Sequence, residues 1–123
     1  MKIYIAHSTA YDFKVELYRP MRESDLASVH EIIFPHENNE ELFDSKNLFK
    51  NGCDLIIAEV SFSSTGMGIE LGWANALEIP IVCLYKKGVK PSGSLKAVSA
   101  DFIEYDSTDD MLRKIKEHIV RIK

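Results

Sequence analysis

Residues 55–85 read LIIAEVSFSSTGMGIELGWANALEIPIVCLY, and the order of residue types in this stretch decides the predicted fold. Two continuous apolar runs of strand length, residues 55–60 and 81–85, enclose a loop rich in Ser, Thr and Gly and a segment of helical length. Strands that are apolar throughout are typical of parallel sheets covered by helices on both faces. The stretch therefore predicts a crossover from strand to helix to strand, with the helix over residues 68–77.

The same alternation extends over the rest of the chain. Further apolar runs of strand length occur at residues 3–6, 32–34 and, more weakly, 102–105. Helical spacing of apolar residues occurs at residues 11–18, 24–30, 40–51 and 108–122, with a short helical turn near 94–99. We expect Pro20 to end or kink the first of these helices near Tyr18. This order predicts one domain, residues 1–123, with an α/β fold of flavodoxin-like or Rossmann-like type: three layers around a doubly wound, parallel five-stranded sheet.

The composition narrows the class of protein. Hydrophobic residues make up 46% of the 123 residues, which is enough for a single core. The net charge is −4, and the 15 basic and 19 acidic residues are mixed along the chain, so we expect neither a nucleic-acid polymer nor a membrane as partner. No apolar run has the length of a signal peptide or a spanning helix, which predicts a cytoplasmic protein. Cys53 and Cys83 are expected to be reduced core thiols outside any zinc motif.

Polar residues follow each predicted strand, at the edge where open parallel sheets bind ligands. The richest of these loops, residues 61–68, leads directly into a helix, whose free N–H groups suit a phosphate or a carboxylate. The glycines could equally serve only a tight turn. Neither nucleotide-binding fingerprint is present, because Leu71 occupies the last glycine position of G-x-G-x-x-G and no G-K-[ST] occurs.

Two carboxylates lie beside this loop. Glu70 falls in the first turn of the predicted helix, where the helix dipole would also stabilise a solvent-facing acidic residue. Glu59 ends the preceding strand, and we expect the two side chains to share one cleft. Cleavage of a glycosidic bond needs such a set: one carboxylate attacks the anomeric carbon, and a second polar group positions or protonates the leaving group. No metal or other cofactor is expected for this chemistry.

Residues 53–88, CDLIIAEVSFSSTGMGIELGWANALEIPIVCLYKKG, resemble the core motif of the nucleoside 2-deoxyribosyltransferase family, including its branch of 2′-deoxynucleoside 5′-monophosphate N-glycosidases. Family members share an acidic residue at the strand end, a Ser/Gly loop and a glutamate in an E-L-G segment that opens the next helix. The matching residues are Glu59, Ser64, Gly66, Gly68 and Glu70.

Three further positions carry the resemblance beyond the central stretch. The opening KIYIAHS is similar to the first strand of the family, with the family's tyrosine at Tyr4 and, in the nucleotide-hydrolysing branch, its loop serine at Ser8. Ser94, in SGSLKAVSA, matches a serine that this branch contributes to the phosphate site of the neighbouring subunit. The resemblance therefore implies a homodimer or higher homo-oligomer.

The resemblance also implies a mechanism and a substrate, a deoxynucleoside or its 5′-monophosphate. Glu70 would attack C1′ of the 2-deoxyribosyl group and expel the nucleobase, and water or a second base would resolve the covalent sugar ester. Tyr4 would orient the carboxylate, although an aromatic residue on a buried strand is equally typical of a core. The 5′ end of the sugar would be held by Ser8, Ser64 and Ser94.

One departure from the family concerns the proton donor. Lys46 aligns with a family aspartate that helps to protonate the leaving group. Asp44, two residues away, would take this role only if the helix were shifted, since an offset of two residues points elsewhere on a helix. His36 and Glu37, after the second predicted strand, are alternative donors, and His36 is also a candidate substrate contact.

A second departure concerns the phosphate. In the nucleotide-hydrolysing branch an arginine follows the first-loop serine closely, whereas Thr9 and Ala10 follow Ser8 here. The nearest basic residues, by position in the predicted loops, are Lys86, Lys87 and Lys90. Two other functions therefore stay open: a catalytically impaired nucleotide-binding or sensing module, and an interaction domain without a small ligand.

Overall fold

The computed structural model describes residues 1–37 and 43–122 and contains a five-stranded sheet. Its strands are β1 (Lys2–His7), β2 (Glu31–Ile33), β3 (Leu55–Glu59), β4 (Ile81–Lys86) and β5 (Asp101–Tyr105). All pairings are parallel, and the strands lie in the order β2-β1-β3-β4-β5. The predicted parallel α/β sheet is confirmed. The chain order changes direction between β1 and β3, where doubly wound sheets bind their ligands.

Helices cover both faces of this sheet. They are a π-helical turn (Lys14–Tyr18), α1 (Arg19–Glu23), α2 (Leu26–Val29), α3 (Ser45–Lys50), α4 (Thr65–Ala76), a 3₁₀ turn (Gly93–Ala97) and α5 (Thr108–Ile122). On one face, Ile5 and Ile57 belong to a buried cluster with residues of α1, α2 and α5. On the other face, Tyr4 and Ala58 belong to a buried cluster with residues of α3 and α4. The predicted three layers are therefore present.

Pro20 does not end the first helical segment. The π-helical turn passes directly into α1, and the Arg19 N–H donates to the Lys14 carbonyl across the junction. Pro20 lies in the first turn of α1, a position at which proline is common because its fixed φ suits the helix. The interruption predicted near Tyr18 takes the form of a change in helix type.

The helix that carries Glu70 starts earlier than predicted. Ser64 has an extended backbone, and its Oγ accepts a hydrogen bond from the Met67 N–H at 3.4 Å, so that Ser64 is the N-cap of α4. Thr65 and Gly66 are therefore helical, and Glu70 lies in the second turn. The prediction of Glu70 in the first turn is wrong, and the helix dipole does not account for its presence.

The helix predicted at residues 40–51 begins in a part of the chain outside the described residues. Within them, α3 starts after Asp44, whose carboxylate caps it. Of the two free thiols, Cys83 is buried in β4, as predicted for a core thiol, whereas Cys53 is only half-buried. None of the helices in residues 1–37 and 43–122 is long and apolar enough to cross a membrane.

Candidate active site

A cleft of about 450 Å³ lies beside the start of α4, at the change in strand order between β1 and β3. Its lining comes from β1 and the loop after it, the loop after β2, the start of α3, and α4 with its N-cap. The lining residues are Tyr4, His7, Thr9, His36, Phe43, Asp44, Ser45, Ser64, Gly66, Met67, Ile69, Glu70 and Trp73. Six of the residues singled out from the sequence are among them: Tyr4, His36, Asp44, Ser64, Gly66 and Glu70.

Glu70 and Tyr4 form the centre of this cleft. The Tyr4 hydroxyl donates a hydrogen bond of 2.5 Å to Oε2 of Glu70. Burial raises the pKa of the Glu70 carboxyl above its ordinary value, while hydrogen bonds from the hydroxyls of Tyr4 and Ser45 and the nearby His36 partly oppose this rise. Burial and the charge of Glu70 raise the pKa of the Tyr4 hydroxyl, so Tyr4 stays protonated and acts as the donor.

The Tyr4 ring is held by aromatic packing. It packs edge to face against the ring of Phe49, with the two ring centroids 5.1 Å apart. The centroid of the Phe43 ring lies 5.9 Å from that of Tyr4. The ring thus belongs to the core beneath α3 and α4, while its hydroxyl reaches the cleft. The two interpretations of Tyr4, core aromatic and Glu70 partner, therefore describe two ends of one side chain.

The start of α3 brings Asp44 into the cleft. Asp44 is the N-cap of α3, with its Oδ1 accepting from the Asn47 N–H at 3.2 Å, and it also lines the cleft. Lys46 is exposed, with its ammonium group over the Trp73 ring at 5.8 Å from the centroid. Of these two residues, the structure places Asp44 rather than Lys46 in the cleft lining.

A buried network that the sequence analysis missed holds the loop after β2. His7 Nδ1 lies 2.8 Å from the Ser8 carbonyl oxygen, which only accepts, so Nδ1 carries the proton and Nε2 accepts from the Tyr18 hydroxyl at 2.5 Å. Tyr18 in turn accepts from the His36 backbone N–H at 3.1 Å. Burial lowers the pKa of His7 to about 4, so the ring is neutral at pH 7. The network fixes His36 at the cleft.

Glu59 does not share the cleft with Glu70, and that prediction is wrong. Side chains alternate along a strand, and Ala58 faces α4, so Glu59 points to the opposite face of the sheet. There it is 1% exposed and accepts hydrogen bonds from Ser61 and Tyr105.

Three other predicted ligand contacts lie apart from the Glu70 cleft. Ser8 is buried, and its Oγ accepts from the Ala10 N–H at 3.0 Å. Ser94 and Gly68 line a second cleft of about 440 Å³ on the other side of the start of α4. Ser64 lines both clefts. The assignment of Ser94 to a neighbouring subunit's site stays a prediction.

Two of the lysines considered for a phosphate are paired elsewhere. The ammonium group of Lys86 lies 2.8 Å from Glu16, and that of Lys87 lies 3.6 Å from Asp106. Among residues 1–37 and 43–122, no three His, Cys, Asp or Glu side chains are grouped so that they could hold a metal ion. Among the described lining residues, the polar side-chain groups are carboxylates, hydroxyls, imidazoles and the indole N–H of Trp73.

Comparison with known proteins places the chain in a family. No protein-family model matches it. A curated relative from Syntrophotalea carbinolica, described as "Putative 2′-deoxynucleoside 5′-phosphate N-hydrolase 1", is 31% identical over 110 aligned residues that cover 75% of each chain. The chain belongs to the nucleoside 2-deoxyribosyltransferase-like family. The fold of this family member is also that of the Clostridium botulinum CMP N-glycosidase BcmB, with a TM-score of 0.67 and 22% identity over 96% of this chain and 99% of the other.

Proposed function

We propose that this protein is an N-glycosidase that hydrolyses the bond between base and sugar in 2′-deoxynucleoside 5′-monophosphates. The observation that carries the proposal is the Glu70 carboxylate, held at 2.5 Å by the Tyr4 hydroxyl in a cleft of about 450 Å³. The relative from Syntrophotalea carbinolica, whose description is a nucleotide N-hydrolase, supports this substrate class.

Glu70 would act as the nucleophile. Its carboxylate attacks C1′ of the deoxyribose, the bond from C1′ to the base nitrogen breaks, and the base leaves with the electron pair. A water molecule then cleaves the resulting sugar ester and regenerates the carboxylate. Tyr4 keeps one carboxylate oxygen in place, so that little reorientation is needed before attack.

The leaving base needs a proton, and two residues in the cleft lining could supply it. Histidine exchanges protons readily near neutral pH, and the backbone of His36 is fixed by Tyr18 and, through it, by His7. Asp44 is the second candidate, because its carboxylate lies at the start of α3 in the same cleft. We assign the proton transfer to His36, with Asp44 as a polar contact to the base.

The 5′-phosphate would bind at the start of α4. Free N–H groups at a helix N-terminus attract anions, and Ser64 and Gly66 place this terminus in the cleft lining. Thr9, on the loop after β1, adds a hydroxyl from the other side. A homodimer in which Ser94 of one subunit completes the phosphate site of the other would supply the contact that Ser8, buried outside the cleft lining, does not.

The test incubates the protein with a panel of deoxynucleosides, their 5′-monophosphates and CMP, and measures the release of free base by chromatography. Glu70→Gln keeps the shape of the side chain but removes the nucleophile, and should lower kcat by ~10³-fold or more. Glu78→Gln, an identical change at an exposed position after the end of the same helix, serves as the control and should leave kcat unchanged.

Three outcomes would redirect the proposal. Saturable nucleotide binding without product would favour the binding or sensing module. Exchange of one base for another would make the protein a transferase. Full activity in Glu70→Gln would exclude the covalent glutamyl mechanism.

A further inference from the structure

Glu59 is a buried carboxylate with a full set of partners on the face of the sheet away from the Glu70 cleft. Its Oε1 accepts from the Ser61 N–H at 2.6 Å, and its Oε2 accepts from the Ser61 hydroxyl at 3.1 Å and from the Tyr105 hydroxyl. Burying a carboxylate is unfavourable unless it is well hydrogen-bonded. A carboxylate can accept all of these bonds at once, whereas an amide of the same shape has one oxygen.

Ser61 connects this carboxylate to the ends of the neighbouring strands. The Ser61 hydroxyl donates to Glu59 and also accepts a hydrogen bond of 2.8 Å from the backbone N–H of Lys86, the last residue of β4. Tyr105 brings the end of β5 to the same carboxylate. Ser61, the second residue after the end of β3, is therefore fixed to three strand ends.

The next loop residue is anchored as well. The ring of Phe62 stacks on that of Tyr11 with centroids 4.8 Å apart and planes inclined by 20°. The ammonium group of Lys86 lies within 5.5 Å of both ring centroids. In sequence, Ser63 alone separates this anchor from Ser64, the residue that caps α4.

We propose that Glu59 is a positioning residue: by holding Ser61, it fixes the start of α4 and thereby the distance between Glu70 and Tyr4. Both carboxylates then serve one site, one from within the cleft and one from behind the sheet. The proposal rests on the proposed function for its kinetic consequence, but its structural consequence can be measured without a substrate.

The experiment compares Glu59→Gln and Ser61→Ala with Tyr105→Phe. The first two changes weaken the hold on the loop, whereas Tyr105→Phe removes a hydrogen bond to the same carboxylate and leaves both Ser61 bonds. The titration of the Glu70 side chain is followed by NMR in each folded variant. Glu59→Gln and Ser61→Ala should raise the pKa of Glu70, because the Tyr4 hydrogen bond that lowers it becomes longer; Tyr105→Phe should not.

The kinetic readout is a fall of about tenfold in kcat with little change in KM for the first two variants only, as expected for a displaced nucleophile. If all three variants lower Tm while the titration of Glu70 stays as in the wild type, Glu59 is merely structural and the proposal is overturned. If Glu59→Gln fails to fold, Ser61→Ala decides, because it leaves the Ser61 N–H bonded to Glu59. A wild type that releases no base would refute the proposed function, and the titration would still decide the role of Glu59.

Discussion

Two carboxylates, eleven residues apart in sequence, lie on opposite faces of the sheet and show how differently one fold can use the same chemical group. Glu59 is sealed among its partners, 1% exposed, on the side packed by α1, α2 and α5. Glu70 faces a cleft of about 450 Å³ and keeps a raised pKa. A carboxylate enclosed by donors holds structure together, whereas one beside open space is placed for reaction with a ligand.

The largest expected effect is that alanine at Glu70 removes activity with little loss of stability, whereas alanine at Glu59 lowers stability. Glu70→Ala should abolish base release, a loss of ~10³-fold or more, yet change the free energy of unfolding by less than about 1 kcal/mol, because water in the open cleft can accept the hydrogen bond that the Tyr4 hydroxyl loses. Glu59→Ala leaves the donors of Ser61 and Tyr105 buried without an acceptor and should cost about 3 kcal/mol. Urea unfolding and kinetics on the same samples would test both, and equal stability of the two variants would contradict the comparison.

A substitution of His7 tests whether a buried polar group near Glu59 makes the free energy of unfolding depend on pH. His7 pairs with Glu59 in the register of β1 and β3, and its pKa is lowered to about 4. The unfolded chain therefore binds the extra proton first, so the free energy of unfolding should fall as pH drops from about 6.5 towards 4, by up to about 3 kcal/mol. His7→Gln should remove this slope in urea unfolding measured from pH 4 to 7. A slope unchanged by the substitution would assign the effect to other groups.

Tyr4→Phe tests whether the Tyr4 hydroxyl controls the pKa and the orientation of Glu70. The Tyr4 hydroxyl lowers the pKa of Glu70, so its loss should raise that pKa further and move the acid limb of the kcat/KM profile to higher pH. The loss of orientation should also lower kcat by about tenfold. Tyr85→Phe, on β4 and outside the lining of the Glu70 cleft, is the control and should leave the pH profile in place.

The smallest expected effect lies at the far end of α4. Glu78 has a φ of 60°, and the N–H groups of Glu78 and Ile79 bond to the carbonyls of Asn75 and Ala74, as in a Schellman motif. Glycine adopts this left-handed conformation without strain, so Glu78→Gly should stabilise the protein by about 0.5–1 kcal/mol. Thermal unfolding would show a higher Tm with kcat unchanged; a lower Tm would contradict the assignment of strain to Glu78.

Most of the fold could be predicted from the sequence because its determinants are local. Apolar runs and helical spacing define strands and helices within ten or so residues. The starts of α3 and α4 were harder to place, since the capping residues Asp44 and Ser64, and not the apolar pattern, determine where these two helices begin. The spacing Asp44-x-x-Asn47, in which a side-chain acceptor precedes an N–H by three residues, was a signal for this start.

The candidate site could be predicted only in part. The pairing of Tyr4 with Glu70 joins residues 66 positions apart and was suggested by the family resemblance alone. Glu59 was assigned to the wrong face because β3 is apolar on both sides, so its alternation does not say which face carries α4. Ser45 and Tyr18 gave no signal, since each acts through contacts with residues on other elements, and the only signal for His7 was its position after the first predicted strand.

The π-helical turn before Pro20 determines the directions in which the side chains after it point. Each residue of an α-helix turns the side chain by about 100°, so a wider turn reorients every later side chain relative to an uninterrupted α-helix. Tyr18 is the last residue of that wider turn, and its hydroxyl meets both His7 and the His36 backbone. Deleting one residue from Lys14–Tyr18 would convert the π-helical turn into a regular α-helical turn and move the Tyr18 hydroxyl away from the His36 backbone. His36 would then lose this hydrogen bond, although no residue that lines the cleft had been changed.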